Sequence, residues 1–208
     1  QNPGERAIAL MTSGNLSVTQ EVKTTLSRAI KESVENPEVK TLLNCATMHD
    51  AAALVGDAMR KVRARMREGM SSMESSLSAS ILVAGQRRGG KQRLFMVYSE
   101  GNFIEASADT PFFQIGEHKY GKPILDRVAR SDMELGEAAK MVLLSFDSTL
   151  RSNLSVGLPI DLLTYETGSL KVEHTKRIGL DDPYFKMLST EWSKALRTAF
   201  ANIEALDI

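Results

Sequence analysis

The sequence predicts a protein of the α+β class, with helices layered outside antiparallel sheets. Short apolar segments bounded by turn residues alternate along the chain with pairs of amphipathic helical segments, an order that argues against a parallel βαβ sheet. No internal repeat, low-complexity tract or Pro-rich linker divides the 208 residues, 42% of which are hydrophobic. One compact domain spanning residues 1–208 is therefore expected.

The first predicted elements are a buried strand and a helix. Residues 6–12 form an apolar-rich segment that ends at the turn cluster Ser13-Gly14-Asn15. The following helix is expected to be capped by Thr19 and to stop at Asn36-Pro37. Its apolar stripe consists of Val22, Leu26 and Ile30.

A second helix is predicted over residues 50–67. Its inward stripe consists of Ala52, Val55, Met59, Val62 and Met66. Arg60, Arg63 and Arg67 are placed on its other faces. For the arginines of residues 60–65, a solvated surface is favoured over contact with a phosphate backbone. The methionines Met59, Met66, Met70 and Met73 form an apolar ridge, which favours core packing over a surface for a partner subunit.

An antiparallel meander follows. Residues 80–86 and 93–99 are predicted strands of a hairpin whose loop is Arg87-Arg88-Gly89-Gly90-Lys91-Gln92. This loop has strands on both sides, unlike a phosphate-binding loop, which opens a helix. The meander continues through residues 103–106.

The pattern of the last part of the chain predicts two helices, a second hairpin and a final helix. The helices cover residues 122–130 and 135–150, and the latter is expected to turn Leu135, Ala139, Val142, Leu143, Phe146 and Leu150 inward. Strands at 158–166 and 170–177 flank Thr167-Gly168-Ser169. Asp182-Pro183 is expected to begin the last helix, which bears Phe185, Leu188, Trp192, Leu196, Phe200 and Ile203.

The composition disfavours several classes of function. Lysine plus arginine equals aspartate plus glutamate, at 26 each, so neither nucleic acid nor a membrane is an expected partner. His49, His118 and His174 are scattered, and no metal site or cofactor is predicted. The single cysteine, Cys45, is interpreted as a buried or incidental thiol and favours a cytoplasmic location.

Two turns are candidates for a site. Gly14 directly follows a buried strand, where its backbone N–H could serve as an oxyanion donor, although a plain strand-to-helix turn fits the pattern as well. Residues 151–157 are rich in side-chain hydroxyls and amides, which in such turns often satisfy the local backbone.

Several segments of the chain resemble Anbu, a family of bacterial proteasome-like proteins. They are residues 1–20, 101–104, DTPFFQIGE at 109–117, KYGKPILDR at 119–127 and DSTLRSNLSVGLPID at 147–161. The resemblance implies the four-layer αββα sandwich of the N-terminal nucleophile hydrolases, here without its first strands. It also implies an N-terminal threonine as nucleophile, with its own α-amine as base and a lysine and an aspartate as partners. In the family these residues precede the point at which this sequence begins, so none of them is expected in the chain.

The resemblance assigns three residues to the substrate side of the site. Gly14 matches the glycine whose N–H stabilises the tetrahedral oxyanion, a contribution of roughly 3–4 kcal/mol for one donor. Thr12 and Leu16 match positions lining the pocket for the residue before the scissile bond.

Three further residues match positions around the threonine amine. Ser152 and Ser155 stand where proteasomes have an aspartate and a serine, and Glu117 stands where a serine is usual. These are departures from the family pattern. A serine hydroxyl can orient an amine but cannot supply the charge of a carboxylate. The functional prediction further requires the Ser152–Ser155 turn and Gly14 to converge on one cleft.

The predicted function is that of a proteasome-type threonine peptidase or amide hydrolase subunit. The resemblance implies a homo-oligomer, either a closed ring or an open spiral, acting on a peptide or other amide substrate. The alternative is a specialised or non-catalytic assembly subunit without general proteolytic activity. A third possibility, apart from the family, is an α+β binding domain.

Overall fold

The computed structural model describes residues 2–68, 77–172 and 174–207, with the backbone only for Glu68. The chain divides into two compact units. Unit 1 comprises Gln1–Gly116 and Tyr165–Glu173, and unit 2 comprises Glu117–Thr164 and His174–Ile208. Each unit contains an antiparallel sheet with helices packed against it. The single domain expected from the sequence remains a prediction.

The sheet of unit 1 has four strands in the order β1-β2-β3-β4. They are β1 (Arg6–Gly14), β2 (Ala79–Arg87), β3 (Arg93–Val97) and β4 (Phe103–Glu105). All neighbours are antiparallel, which confirms the predicted meander. β1 extends past its predicted end at Thr12, because Ser13 and Gly14 still pair with Ser80 and Ala79.

Two long helices cover this sheet, α1 (Leu16–Glu35) and α2 (Met48–Glu68). α1 ends before Asn36, as predicted, but its start was predicted wrongly: Asn15 is the N-cap. Thr19 lies inside the first turn, 5% exposed, and its hydroxyl donates to the Leu16 carbonyl at 3.0 Å. The helices and strands share one apolar core, whose largest fully buried side chains include Phe95, Met59 and Ile81.

The inner face of α2 confirms most of the predicted stripe. Met59 is fully buried and Met66 packs against the core, whereas Met70 and Met73 lie outside the described residues. The prediction for Arg63 was wrong. Its side chain is buried and donates to the Ser99 carbonyl at 2.7 Å, because the loop after β3 places that carbonyl beside α2.

The only cysteine of the sequence is a structural thiol. Cys45 is buried in the core of unit 1, and Arg6 Nη1 donates to its carbonyl oxygen at 2.8 Å. Burial raises the pKa of the Cys45 thiol, and the nearby Arg6 charge opposes that rise only in part. The thiol is therefore held in its protonated, unreactive form at neutral pH.

Unit 2 consists of α3 (Lys122–Val128), α4 (Leu135–Ser152), β5 (Ile160–Thr164), β6 (His174–Ile178) and α5 (Pro183–Ala201). The predicted elements are all present, and the two strands form a hairpin shorter than predicted. Its core joins Leu143 of α4, Ile160 and Ile178 of the strands, and Phe185 and Leu188 of α5.

Two residues predicted to face inward from α4 do not. Leu135 is 44% exposed and Phe146 is 37% exposed. α3 approaches α4 closely at Gly121, where an added Cβ would stand 2.8 Å from the Ser145 carbonyl oxygen, which cannot rotate away. Glycine at that position is therefore required by helix packing.

The described part of the chain contains neither a membrane-spanning helix nor a cluster of metal ligands. No helix in residues 2–68, 77–172 or 174–207 combines the length and apolar character needed to cross a membrane. Within the same ranges, no three His, Cys, Asp or Glu side chains are grouped so that they could hold a metal ion.

Gln86 fastens the loop of residues 165–172 to the sheet of unit 1. Its side chain is 7% exposed, and Oε1 accepts hydrogen bonds from the Tyr165 hydroxyl at 2.8 Å and the Gly168 N–H at 2.7 Å. Nε2 donates to the Gly90 carbonyl at 2.8 Å. One buried amide thus satisfies three polar groups from two loops.

We expect Gln86→Leu to lower the free energy of unfolding by about 2–3 kcal/mol, because the similar-sized side chain leaves buried polar groups without partners. The control is Gln92→Leu, which removes only an exposed bond from the Thr167 hydroxyl and is expected to change stability by less than about 0.5 kcal/mol. Urea denaturation measures both. Equal effects would contradict the role assigned to Gln86.

Candidate active site

Gly14 ends β1 at a position that only glycine can occupy without strain. Its φ is +91°, and an added Cβ would stand 2.4 Å from the Ser78 carbonyl oxygen and 2.9 Å from the Ala79 Cα. The next residue, Asn15, donates its N–H to the same Ser78 oxygen at 2.8 Å. Its side chain accepts from the Val18 N–H at 3.0 Å and caps α1. The turn is therefore fixed by β2 on one side and α1 on the other.

The register of β1 sets the direction of the Gly14 N–H. Residues that exchange hydrogen bonds alternate with residues that do not in an antiparallel pair. Arg88 N–H donates to the Glu5 carbonyl at 2.7 Å, and Asn15 N–H donates to the Ser78 carbonyl at 2.8 Å, so odd-numbered residues of this segment face β2. The Gly14 N–H therefore points away from β2, toward the edge of β1 where the described residues supply no other strand.

Thr12 and Leu16 flank this turn and are both exposed. Thr12 lies opposite Ile81, two residues before Gly14, and Leu16 is the first residue of α1 with 67% of its surface exposed. A hydroxyl and an apolar side chain thus lie near the Gly14 N–H in sequence. Their assignment to a substrate pocket remains a prediction.

Asn153 organises the polar turn at the end of α4. It is the C-cap residue, and its N–H donates to the Thr149 carbonyl at 2.9 Å. Its side-chain Nδ2 donates to Glu117 Oε2 at 2.8 Å. Its Oδ1 accepts from both the N–H and the Oγ–H of Ser155, at 2.8 and 2.6 Å. Two of the sequence-predicted site residues, Glu117 and Ser155, are therefore joined through Asn153, which sequence reasoning missed.

Glu117 is held as an anion. The Lys119 backbone N–H donates to Oε1 at 2.9 Å, and this bond is the main reason that the pKa of Glu117 lies below its usual value. Charges on Lys119 and His118 and the Asn153 amide act in the same direction, while desolvation opposes them. The carboxylate therefore stays ionised at neutral pH, and its stabilising contribution is lost only as pH falls through the lowered pKa.

Ser152 is the last residue of α4 and is exposed. Its side chain takes no part in the hydrogen bonds that Asn153 makes to Glu117 and Ser155. Gly14 belongs to unit 1, whereas these four residues belong to unit 2. Their convergence on one cleft remains a prediction.

We expect Gly14→Ala to lower the free energy of unfolding by about 2–3 kcal/mol, because alanine disfavours the positive φ and its Cβ would overlap the Ser78 carbonyl. Gly136→Ala is the matched control. Gly136 lies in α4 with open space around its Cα, so alanine is expected to raise stability by up to about 1 kcal/mol. Thermal and urea unfolding of both variants should show opposite signs, and a shared sign would refute the assigned constraint.

Comparison with protein families yields one match. A model described as proteasome subunit matches residues 46–164, more than half of the chain. A comparison with curated proteins finds no match.

Solved structures of Anbu proteins match over nearly the whole chain. Anbu from Hyphomicrobium sp. strain MC1 is 53% identical with a TM-score of 0.91, over 100% of this chain and 84% of that protein. Anbu (ancestral beta-subunit) from Yersinia bercovieri is 43% identical with a TM-score of 0.90, over 100% and 85%. The Anbu complex of Pseudomonas aeruginosa, solved as a helical assembly, is 42% identical with a TM-score of 0.91, over 99% and 83%.

These matches confirm two predictions from the sequence, the resemblance and the proteasome-like fold. The agreement extends over both units, including residues 1–45 and 165–208, which the family model does not cover. The chain therefore belongs to the Anbu family of proteasome-like proteins.

Proposed function

We propose that this chain is a subunit of a proteasome-type threonine peptidase or amide hydrolase that works as a homo-oligomer. The observation that carries the proposal is the Gly14 N–H, directed away from β2 at a turn that admits only glycine. A fixed backbone donor of this kind suits the negative oxygen of a tetrahedral intermediate. Membership of a proteasome-like family supplies the matching chemistry.

In this mechanism the hydroxyl of an N-terminal threonine, upstream of the residues in this sequence, attacks the amide carbonyl. Its α-amine accepts the hydroxyl proton, and the Gly14 N–H donates to the carbonyl oxygen as it becomes negative. The C–N bond then breaks, and the protonated amine returns its proton to the leaving group. Water hydrolyses the resulting ester and regenerates the threonine.

The turn after α4 would orient the threonine amine. The Ser155 hydroxyl donates its proton to Asn153 Oδ1, so its oxygen is left to accept a hydrogen bond from an ammonium group. Glu117, ionised and bonded to the same Asn153, supplies the negative charge that Ser152 lacks. In this proposal the negative charge near the amine comes from Glu117 and not from position 152. Asn153 links Glu117 to Ser155.

The homo-oligomer is supported by the relative from Pseudomonas aeruginosa, which is described as a helical assembly. Head-to-tail contacts between identical subunits generate a ring if they close and a helix if they do not. The second candidate function is a non-catalytic or specialised assembly subunit. Serine in place of a carboxylate at Ser152 favours it, because a weaker field around the amine weakens the base.

The hydrolase proposal predicts covalent labelling by an epoxyketone or β-lactone probe. With the intact N-terminal threonine exposed, we expect one adduct per subunit, located by intact mass and peptide mapping at that threonine. A matched protein with one extra residue before the threonine has no α-amine at that position and should stay unlabelled. No adduct at saturating probe would favour the assembly subunit.

The proposed place of Ser152 predicts a shift in pH dependence. The labelling rate should rise with pH as the threonine ammonium loses its proton, and the midpoint of that rise reports the pKa of the α-amine. Ser152→Asp adds an anion that stabilises the ammonium form, so the midpoint should move to higher pH by about 1 unit. Ser27→Asp, on the exposed face of α1, is the control and should leave the midpoint unchanged. Equal midpoints for both variants would place Ser152 away from the amine.

A further inference from the structure

A cavity of about 360 Å³ opens in unit 1 between the N-terminus of α2 and the β2–β3 hairpin. We call it the hairpin pocket, and its chemically distinctive residues are His49, Arg87, Lys91, Arg93, Phe95 and Glu105. Arg87 lies at the opposite end of the β1–β2 ladder from Gly14. Eight residue steps along a strand separate those ends by about 26 Å, so the pocket is distinct from the Gly14 turn.

The rim of the hairpin pocket carries uncompensated positive charge. Arg93 is paired with Glu105. Arg87 donates to the Arg88 backbone carbonyl at 3.1 Å and has no carboxylate partner among the described residues, and neither does Lys91. The nearby Asp50 carboxylate is engaged at the start of α2, where it accepts from the Thr47 N–H at 2.9 Å. Two cations are therefore available to an anionic ligand.

The ring that the hairpin pocket presents to a ligand is that of His49, which is exposed and packs on two phenylalanine rings. Phe95 is 1% exposed, and its ring meets Phe103 edge-on with centroids 5.7 Å apart. His49 contacts both rings, with centroids 6.4 Å from Phe95 and 5.0 Å from Phe103. A ligand that fits this pocket would combine an apolar side chain, placed on the His49 ring, with carboxylates that pair with Arg87 and Lys91.

The segment after α5 has that combination. Ile203 and Leu206 are 73% and 83% exposed, so two large apolar side chains face solvent within four residues. Glu204 and Asp207 are exposed and form no ion pair within the described residues. The segment thus presents apolar side chains and free carboxylates together.

We propose that the hairpin pocket binds residues 203–207 of a second copy of this chain. The carboxylates of Glu204 and Asp207 pair with Arg87 and Lys91, and Leu206 packs on the His49 ring. Because pocket and segment are different surfaces, the contact is head-to-tail, the class that builds rings and helices. This inference rests on the homo-oligomer part of the proposed function and identifies one of its interfaces.

Charge reversal tests the contact in the full chain. Sedimentation velocity over a concentration series would compare wild type with E204K/D207K, with R87E/K91E and with the protein carrying all four changes. Each double variant places like charges together, so we expect half-assembly to need at least about tenfold higher concentration. The fourfold variant restores opposite charges with polarity exchanged and should assemble near the wild-type concentration. K23E/K31E, on the exposed face of α1, makes the same net charge change as R87E/K91E and should assemble like wild type.

The possible results separate this inference from the proposed function. Loss in both double variants with recovery in the fourfold variant supports the contact. Assembly of the double variants at the wild-type concentration overturns it, as does loss without recovery in a fourfold variant that melts like wild type. A wild-type protein that stays monomeric overturns both the contact and the proposed homo-oligomer, whereas probe labelling still decides the hydrolase.

Discussion

The close contact between Gly14 and the start of β2 is the constraint on which the candidate site depends. With no side chain, Gly14 lets the Ser78 carbonyl approach to a distance that no other residue would permit, and that carbonyl then accepts the Asn15 N–H. The contact lies where β1 ends and α1 begins, and it fixes the register of β1 against β2. A slip of one residue would turn the Gly14 N–H toward β2 and remove it from the open edge. The direction of this N–H is therefore a property of strand pairing.

The polar turn of unit 2 is held by the hydrogen bonds of one side chain, that of Asn153, and not by strand pairing. Where α4 ends, the Asn153 N–H donates to the helix and its side-chain amide donates to Glu117. Its side-chain oxygen accepts the backbone N–H of Ser155. One amide thereby joins a carboxylate and a hydroxyl that are far apart in sequence. The Asn153 amide therefore fixes the Glu117 carboxylate on its nitrogen side and the Ser155 hydroxyl on its oxygen side.

The order of strands and helices was predictable because it depends on local periodicity, and all the predicted elements occur. The errors arise where tertiary contacts decide. Arg63 is buried because the Ser99 carbonyl, 36 residues away in sequence, receives its guanidinium. Asn153 was missed because its importance lies in its contact with Glu117, also 36 residues distant. The cap of α1 is different: Asn15 and Thr19 both suit an N-cap, and the contact of Gly14 with β2 selects Asn15.

The β1–β2 ladder also relates the two proposed sites. Its nine paired positions run from Arg6 opposite Arg87 to Gly14 opposite Ala79, so the hairpin pocket and the Gly14 turn lie at opposite ends of one strand ladder. The antiparallel hydrogen bonds hold this ladder in one register, and a ligand at the hairpin cannot slide the strands without breaking all of them. Contacts made at the pocket therefore leave the Gly14 geometry intact. Assembly and amide chemistry should accordingly be separable by mutation, because each rests on residues that the ladder keeps about 26 Å apart.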